Sequence, residues 1–162
     1  MNFAVLSCIY GQRNDLTEEE YRAIKFNGFD ISSIRNTKGV EHELKQLFDF
    51  NYIINQDDDE KSIYYSSSPL NVLFQDGFLV NGKVSNWQLT NFIIESDEIE
   101  VELKKLTFKV GDNISVLGFV NQLKFRDGIF RISFVIGSEA LIVNFNQVTK
   151  VITKIEYVYY NT

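Results

Sequence analysis

A chain of 162 residues is long enough for one domain with a substantial core, and 44% hydrophobic with 14% aromatic residues excludes a disordered polypeptide. The formal charge is −6, and no stretch approaches the roughly 20 apolar residues of a membrane-spanning helix, so neither nucleic acid nor membrane is the expected partner. Charge is unevenly spread: residues 1–103 hold 18 Asp and Glu against 8 Lys and Arg, whereas residues 104–162 hold 4 against 8.

Phe3–Tyr10 is a short apolar run closed by Gly11, a buried strand or a short helix. It contains the single cysteine, Cys8, which has no internal partner for a disulfide and fits a reducing, cytoplasmic setting. Leu6-Ser7-Cys8 resembles a lipoprotein cleavage site, but no Lys or Arg precedes the run and it is too short for a signal sequence. Thr17 with Glu20 has the spacing of a capping box, followed by Tyr21 and Ile24, so a first helix is expected up to Asn27-Gly28. After a loop over Asp30–Gly39, Val40, Leu44, Leu47 and Phe48 recur on one face and predict a second helix over Val40–Phe50.

Short β-segments follow at Tyr52–Ile54, Ser62–Tyr65, Leu70–Phe74 and Phe78–Val84. Asn81-Gly82 is the expected type I′ turn, and Asp76-Gly77 a bulge or looser loop. From about Glu98 to Tyr159 the pattern is that of a continuous antiparallel meander. At Lys104-Lys105 the apolar phase slips by one residue, from Val101 and Leu103 to Leu106 and Phe108, which signals a bulge or a strand break. Asn113–Gln122 is read as a strand. Its cadence of turn, strand and Gly118 is shared by many small barrels and names no family. Around Asp127-Gly128 a two-residue hairpin loop places Phe125 opposite Phe130, Leu123 opposite Ile132, Lys124 opposite Arg131 and Gln122 opposite Ser133. In the last strand Val151, Thr153, Ile155, Tyr157 and Tyr159 share one side, with Lys154 and Glu156 opposite. The expected architecture is a single α+β domain over residues 1–162. Two short N-terminal helices pack on a large, curved antiparallel sheet, with barrel-like closure as its limiting form.

Catalytic and metal chemistry find little purchase. His42 lies off the apolar helix face between Glu41 and Glu43, and Cys8 has no neighbouring cation, so neither has the setting of a general base or nucleophile. One His and one Cys cannot make the usual zinc sites, no phosphate-binding glycine loop is present, and no cofactor is expected. Asp57, Asp58, Asp59 and Glu60 lack the spacing of a calcium loop and are read as a solvated, charged tip.

Two surfaces remain. The opposition of Lys124 and Arg131, with Arg126 nearby, is unfavourable by up to about 1 kcal/mol. It calls either for an internal carboxylate, Glu100 or Glu102, or for an anionic ligand. The second surface is acidic: Asp57–Glu60 together with Asp97, Glu98, Glu100 and Glu102, and with Tyr64, Tyr65 and Trp87 as aromatic anchors. Such a field steers a basic protein and disfavours nucleic acid. The expectation is therefore a non-enzymatic module of the immunity-protein or antitoxin type that covers the active site of a basic, nuclease-like toxin. The alternative is a pocket-forming domain that binds or processes a small apolar or anionic ligand. The sequence leaves the oligomeric state open.

Overall fold

The computed structural model describes residues 14–57, 59, 61–80, 83–118, 123–124 and 129–160. Its largest feature is a mixed, nine-stranded sheet, built from β1 (Asn14–Asp15), β4 (Ile53–Asp57), β5 (Ser62–Ser66), β6 (Leu70–Gln75), β9 (Gln88–Ile94), β12 (Leu123–Lys124), β13 (Ile129–Ile136), β14 (Glu139–Asn146) and β15 (Ile152–Tyr159). The order is β1-β13-β14-β15-β9-β6-β5-β4, with β12 also on β13; the β1–β13 pair is parallel and the others are antiparallel. Among the described residues the sheet stays open, so it does not close into a barrel. A second sheet, in the order β11-β10-β2-β3, joins β2 (Lys25–Phe26), β3 (Phe29–Asp30), β10 (Val101–Leu103) and β11 (Leu106–Phe108). The hairpin of β7 (Phe78–Val80) and β8 (Lys83–Ser85) stands apart from both sheets.

Among the described residues three helices, where two were expected, accompany the sheets: α1 (Glu18–Arg22), α2 (Ile31–Asn36) and α3 (Glu41–Leu47). The capping box of α1 forms as expected, Thr17 accepting from the Glu20 N–H at 3.2 Å and Glu20 from the Thr17 N–H at 2.9 Å. The helix then ends at Ala23, several residues early, because the chain turns to bury Phe26 (1% exposed) in the small sheet. The expected loop over Asp30–Gly39 contains α2. Asp30 caps it by accepting from the Ser33 N–H at 2.7 Å, and Ile31 and Ile34, one turn apart, are both buried.

The helices and the small sheet cover one face of the large sheet. Phe26 meets Phe92 edge-on at 4.6 Å, Phe92 stacks on Tyr157 at 5.3 Å, and Ile34, Phe48, Val72 and Ile99 close the same core. The meander expected over residues 98–159 divides between the two sheets. Its first hairpin, β10–β11, pairs with β2, and only β12–β15 run consecutively in the large sheet. The phase slip at Lys104-Lys105 is the two-residue turn of that hairpin, with Leu103 opposite Leu106 and both lysines at positive φ.

Other expectations are corrected by long-range pairing. Ile114–Leu117 is a 3-10 turn rather than a strand, capped by Asn113, whose side chain accepts from the Ser115 N–H. Lys124 faces Phe130 and Leu123 faces Arg131, one residue out of the predicted register, because β13 is anchored along its length by β14, with Phe130 on Phe145 and Ile132 on Val143. Phe125, Asp127, Gly128 and Gln122 lie outside the described residues. Thr153 leaves the apolar side, since the β14–β15 register shifts there and Ile152 takes the buried position. Val80 pairs with Lys83, as a two-residue loop requires, although Asn81 and Gly82 themselves lie outside the described residues. Asp76 has φ +53 at the point where the chain leaves the sheet.

Candidate functional site

The acidic residues fall into two groups. Asp57 ends β4, and Asp59 lies in the tip beyond it, both exposed; Asp58 and Glu60 are outside the described residues. Among the described residues strand β4 ends the sheet order and is exposed along its whole length, Ile53 at 70% and Ile54 at 39%. Asp97, Glu98 and Glu100 are exposed ahead of β10, and Glu102 is half-buried directly opposite Lys25. Asn27 shapes this loop, donating to the Glu98 carbonyl at 3.2 Å and accepting from the Glu100 N–H at 2.8 Å.

The register sets the two groups apart. Ser62, Gln75 and Gln88 align at the Asp57 end, whereas Ser66, Asn71 and Ile93 align at the end where Glu95 leads to Asp97. The length of β5, four residue steps or about 13 Å, separates these ends. Cations also draw on the second group, with Lys109 Nζ 3.7 Å from Asp97.

The three proposed aromatic anchors differ in placement. Tyr64 is half-buried beside Asn55 on the face away from the helices. Tyr65 is a core residue, 1% exposed, whose hydroxyl donates to the Gly39 carbonyl at 2.6 Å; burial pushes its phenol up to about 12. Trp87 is 5% exposed, its ring packed against Gly39 and Gly77. Of the three, only Tyr64 lies outside the buried core.

The basic patch is also rearranged. Arg126 lies outside the described residues, and the register removes the opposition of Lys124 and Arg131. Arg131 Nε donates to Asn144 Oδ1 at 3.3 Å, and Asn144 Nδ2 donates to Glu156 Oε2 at 3.0 Å. Lys154 Nζ sits 2.8 Å from the other oxygen of Glu156. The carboxylate reached from Arg131 through Asn144 is thus Glu156, which also pairs with Lys154. The buried Asn144 of β14 relays between Arg131 on β13 and Glu156 on β15.

A third constellation joins residues far apart in sequence. Arg35, on α2, pairs with Glu139 at the start of β14, and its Nη2 also donates to Tyr157 Oη at 2.6 Å and Tyr21 Oη at 3.2 Å. Tyr157 Oη donates in turn to Glu139 Oε2 at 3.0 Å. Burial raises the Glu139 carboxyl above its ordinary range, opposed by the Tyr157 hydroxyl and reinforced by Glu18; burial likewise raises the Tyr157 phenol. The cluster separates two open clefts of about 530 and 540 Å³. Lys38, Asn86, Trp87 and Gln88 line the first and Glu18, Arg22 and Ser32 the second, with Arg35, Glu139 and Tyr159 shared. Sequence reasoning left Arg35 in a loop and did not single out Glu139 within the expected meander. The available signal was a lone carboxylate opening the apolar run Ala140–Val143, and an arginine beside the buried pair Ile31 and Ile34.

Among the described residues no three His, Cys, Asp or Glu side chains come together as a metal site, and no helix is long and apolar enough to cross a membrane. His42 is exposed on α3, and Cys8 lies outside the described residues. Compared with protein-family models, curated proteins and solved structures, the chain matches none. The fold defines the class alone: a two-layer α+β domain with one face of a large mixed sheet covered by three short helices and a small sheet.

Proposed function

We propose that this protein is a binding module for a basic partner protein, an inhibitor of the immunity or antitoxin kind that covers its partner's active site and catalyses nothing itself. The observation that supports this reading best is the β4 edge. It ends the described sheet, carries Ile53 at 70% exposure, and runs directly into the carboxylates Asp57 and Asp59. Edge strands are commonly blunted by lysine, proline or a covering element. Here the exposed side chains are apolar and amide groups leading to acids. An extended segment of a partner laid along β4 forms main-chain hydrogen bonds, and its Lys or Arg side chains meet the acidic tip. That charge selects basic partners and accelerates their association.

The test is complex formation with basic proteins encoded beside this gene, with association rates followed at about 0.02 and 0.2 M salt, where the screening length differs roughly threefold. A nanomolar complex whose association slows at least tenfold at the higher salt is expected. Ile53→Lys, and Asp57→Asn with Asp59→Asn, should weaken it without unfolding the protein. A rate indifferent to salt, or full-strength binding by the Ile53→Lys variant, refutes the reading.

A further inference from the structure

The first cleft carries chemistry that the β4 edge does not use. Lys38 and Arg35 both line it, one exposed and one with its side chain about one-third exposed (34%). Glu139 is the one acid among the described lining residues, and Arg35 and Tyr157 already engage it. All three side-chain hydrogen bonds of Arg35 leave from Nη2, so Nε and Nη1 keep their donors without a partner among the described residues. The amides of Asn86 and Gln88 add neutral donors, and two aromatic residues line the same cleft, the half-buried Tyr159 and the nearly buried Trp87.

The backbone here is held in an unusual state. Lys38 at φ +47 and Asn86 at φ +56 are left-handed residues other than glycine, and the Trp87 N–H donates to the Lys38 carbonyl at 3.3 Å. The ring of Trp87 packs so closely on Gly39 and Gly77 that a Cβ at either would lie 2.7 or 2.4 Å from it. Strained, well-buttressed backbone of this kind is concentrated at ligand sites. Two cations with one committed carboxylate leave the cleft positive inside a protein whose overall charge is −6.

The geometry points to a binding site in this cleft for a small molecule that bears an oxyanion on a flat ring. Lys38 and the free edge of Arg35 take the anion, Asn86 and Gln88 orient it, and the ring packs against the half-buried Tyr159, next to Trp87 in the lining. A cleft of about 530 Å³ suits a ligand of one or two rings. With two cations present, a phosphate monoester binds more tightly than a carboxylate. This site is independent of the protein-binding reading and of β4.

Trp87 is the only tryptophan of the chain, so its emission reports on the cleft directly. Phenyl phosphate and benzoate are titrated against the full chain, with benzyl alcohol and benzylamine as neutral and cationic counterparts, and binding is checked by calorimetry. Saturable binding in the order phenyl phosphate, benzoate, benzyl alcohol is expected, with none for benzylamine. Lys38→Asn, which keeps a residue tolerant of positive φ, and Gln88→Glu, which adds an opposing charge at an exposed position, should each weaken phenyl phosphate at least tenfold. Their circular dichroism should be unchanged. The assignment is overturned by any of three results: no saturable binding of either anion, benzylamine binding as tightly as benzoate, or both variants binding phenyl phosphate like the parent.

Discussion

Individual side chains here are constrained by a few close contacts whose effects can be measured one at a time. Trp87 lies against Gly77, where a Cβ would fall 2.4 Å from its ring. Gly77→Ala overpacks this contact and should destabilise the fold by about 1–3 kcal/mol while shifting Trp87 emission, as followed by denaturant titration. A variant of parental stability would show that the ring has room to move. Asp30 accepts from both the N–H and the hydroxyl of Ser33, which holds its carboxyl below the ordinary value. A group with a depressed folded-state pKa stabilises above its unfolded value and loses that contribution as pH falls through the folded one. Asp30→Ala should therefore cost about 1 kcal/mol at neutral pH. The difference from the parent should shrink below the ordinary value of 3.8. Paired urea titrations across pH 2–7 (roughly the range of carboxylate titration) check this, and a difference constant over that range would exclude the charged cap.

At the scale of elements, the turns carry more strain than the strands they join. The β10–β11 hairpin places Lys104 at φ +59 and Lys105 at φ +131, where glycine or asparagine is the usual occupant. Lys104 Nζ nevertheless reaches Glu20 Oε1 at 3.1 Å, tying the turn to α1. Lys105→Gly relieves the second residue without touching that pair and should raise stability by up to about 1 kcal/mol. A lower melting temperature for this variant would mean that the Lys105 side chain contributes more than its backbone costs. The register of β12 on β13 makes a related point. A two-residue turn is the strongest local signal for a hairpin, yet the observed pairing is set by the eight-residue ladder of β13 with β14.

For the molecule as a whole, folding redistributes the lopsided charge of the sequence. Lys104 and Lys109, from the basic part, pair with Glu20 and Asp97 from the acidic part, and Arg35 of the acidic part pairs with Glu139. The exposed acids that remain include Asp57 and Asp59 at the β4–β5 tip and Glu98 and Glu100 ahead of β10. The Arg35 cluster also connects the helical layer to the sheet, through α2, α1, β14 and β15. Arg35→Met leaves Glu139 in a half-buried position without its cation. It should cost roughly 1–3 kcal/mol, less than for a fully buried pair because Arg35 keeps some solvent contact. Hydrogen exchange should show α2 losing protection before the β14–β15 ladder. Equal loss across both layers would place the coupling elsewhere.

What the amino-acid order determined by itself was the local grammar. The Thr17–Glu20 capping box, the Leu44 and Phe48 face of α3, the β5 and β6 strands, the break at Lys104-Lys105 and the Val80–Lys83 hairpin all follow from neighbours within a few residues. Tertiary structure alone decided that Trp87 and Tyr65 are core, that β15 is central while β4 ends the described sheet, and that Arg35 meets Glu139 across 104 positions. The physical reason is range. Caps, turns and side-chain alternation are settled by bonds between near neighbours. Sheet order, burial of a particular aromatic ring and pairing of a particular charge depend on which distant segments share one core, and periodicity in a single chain carries no record of that choice.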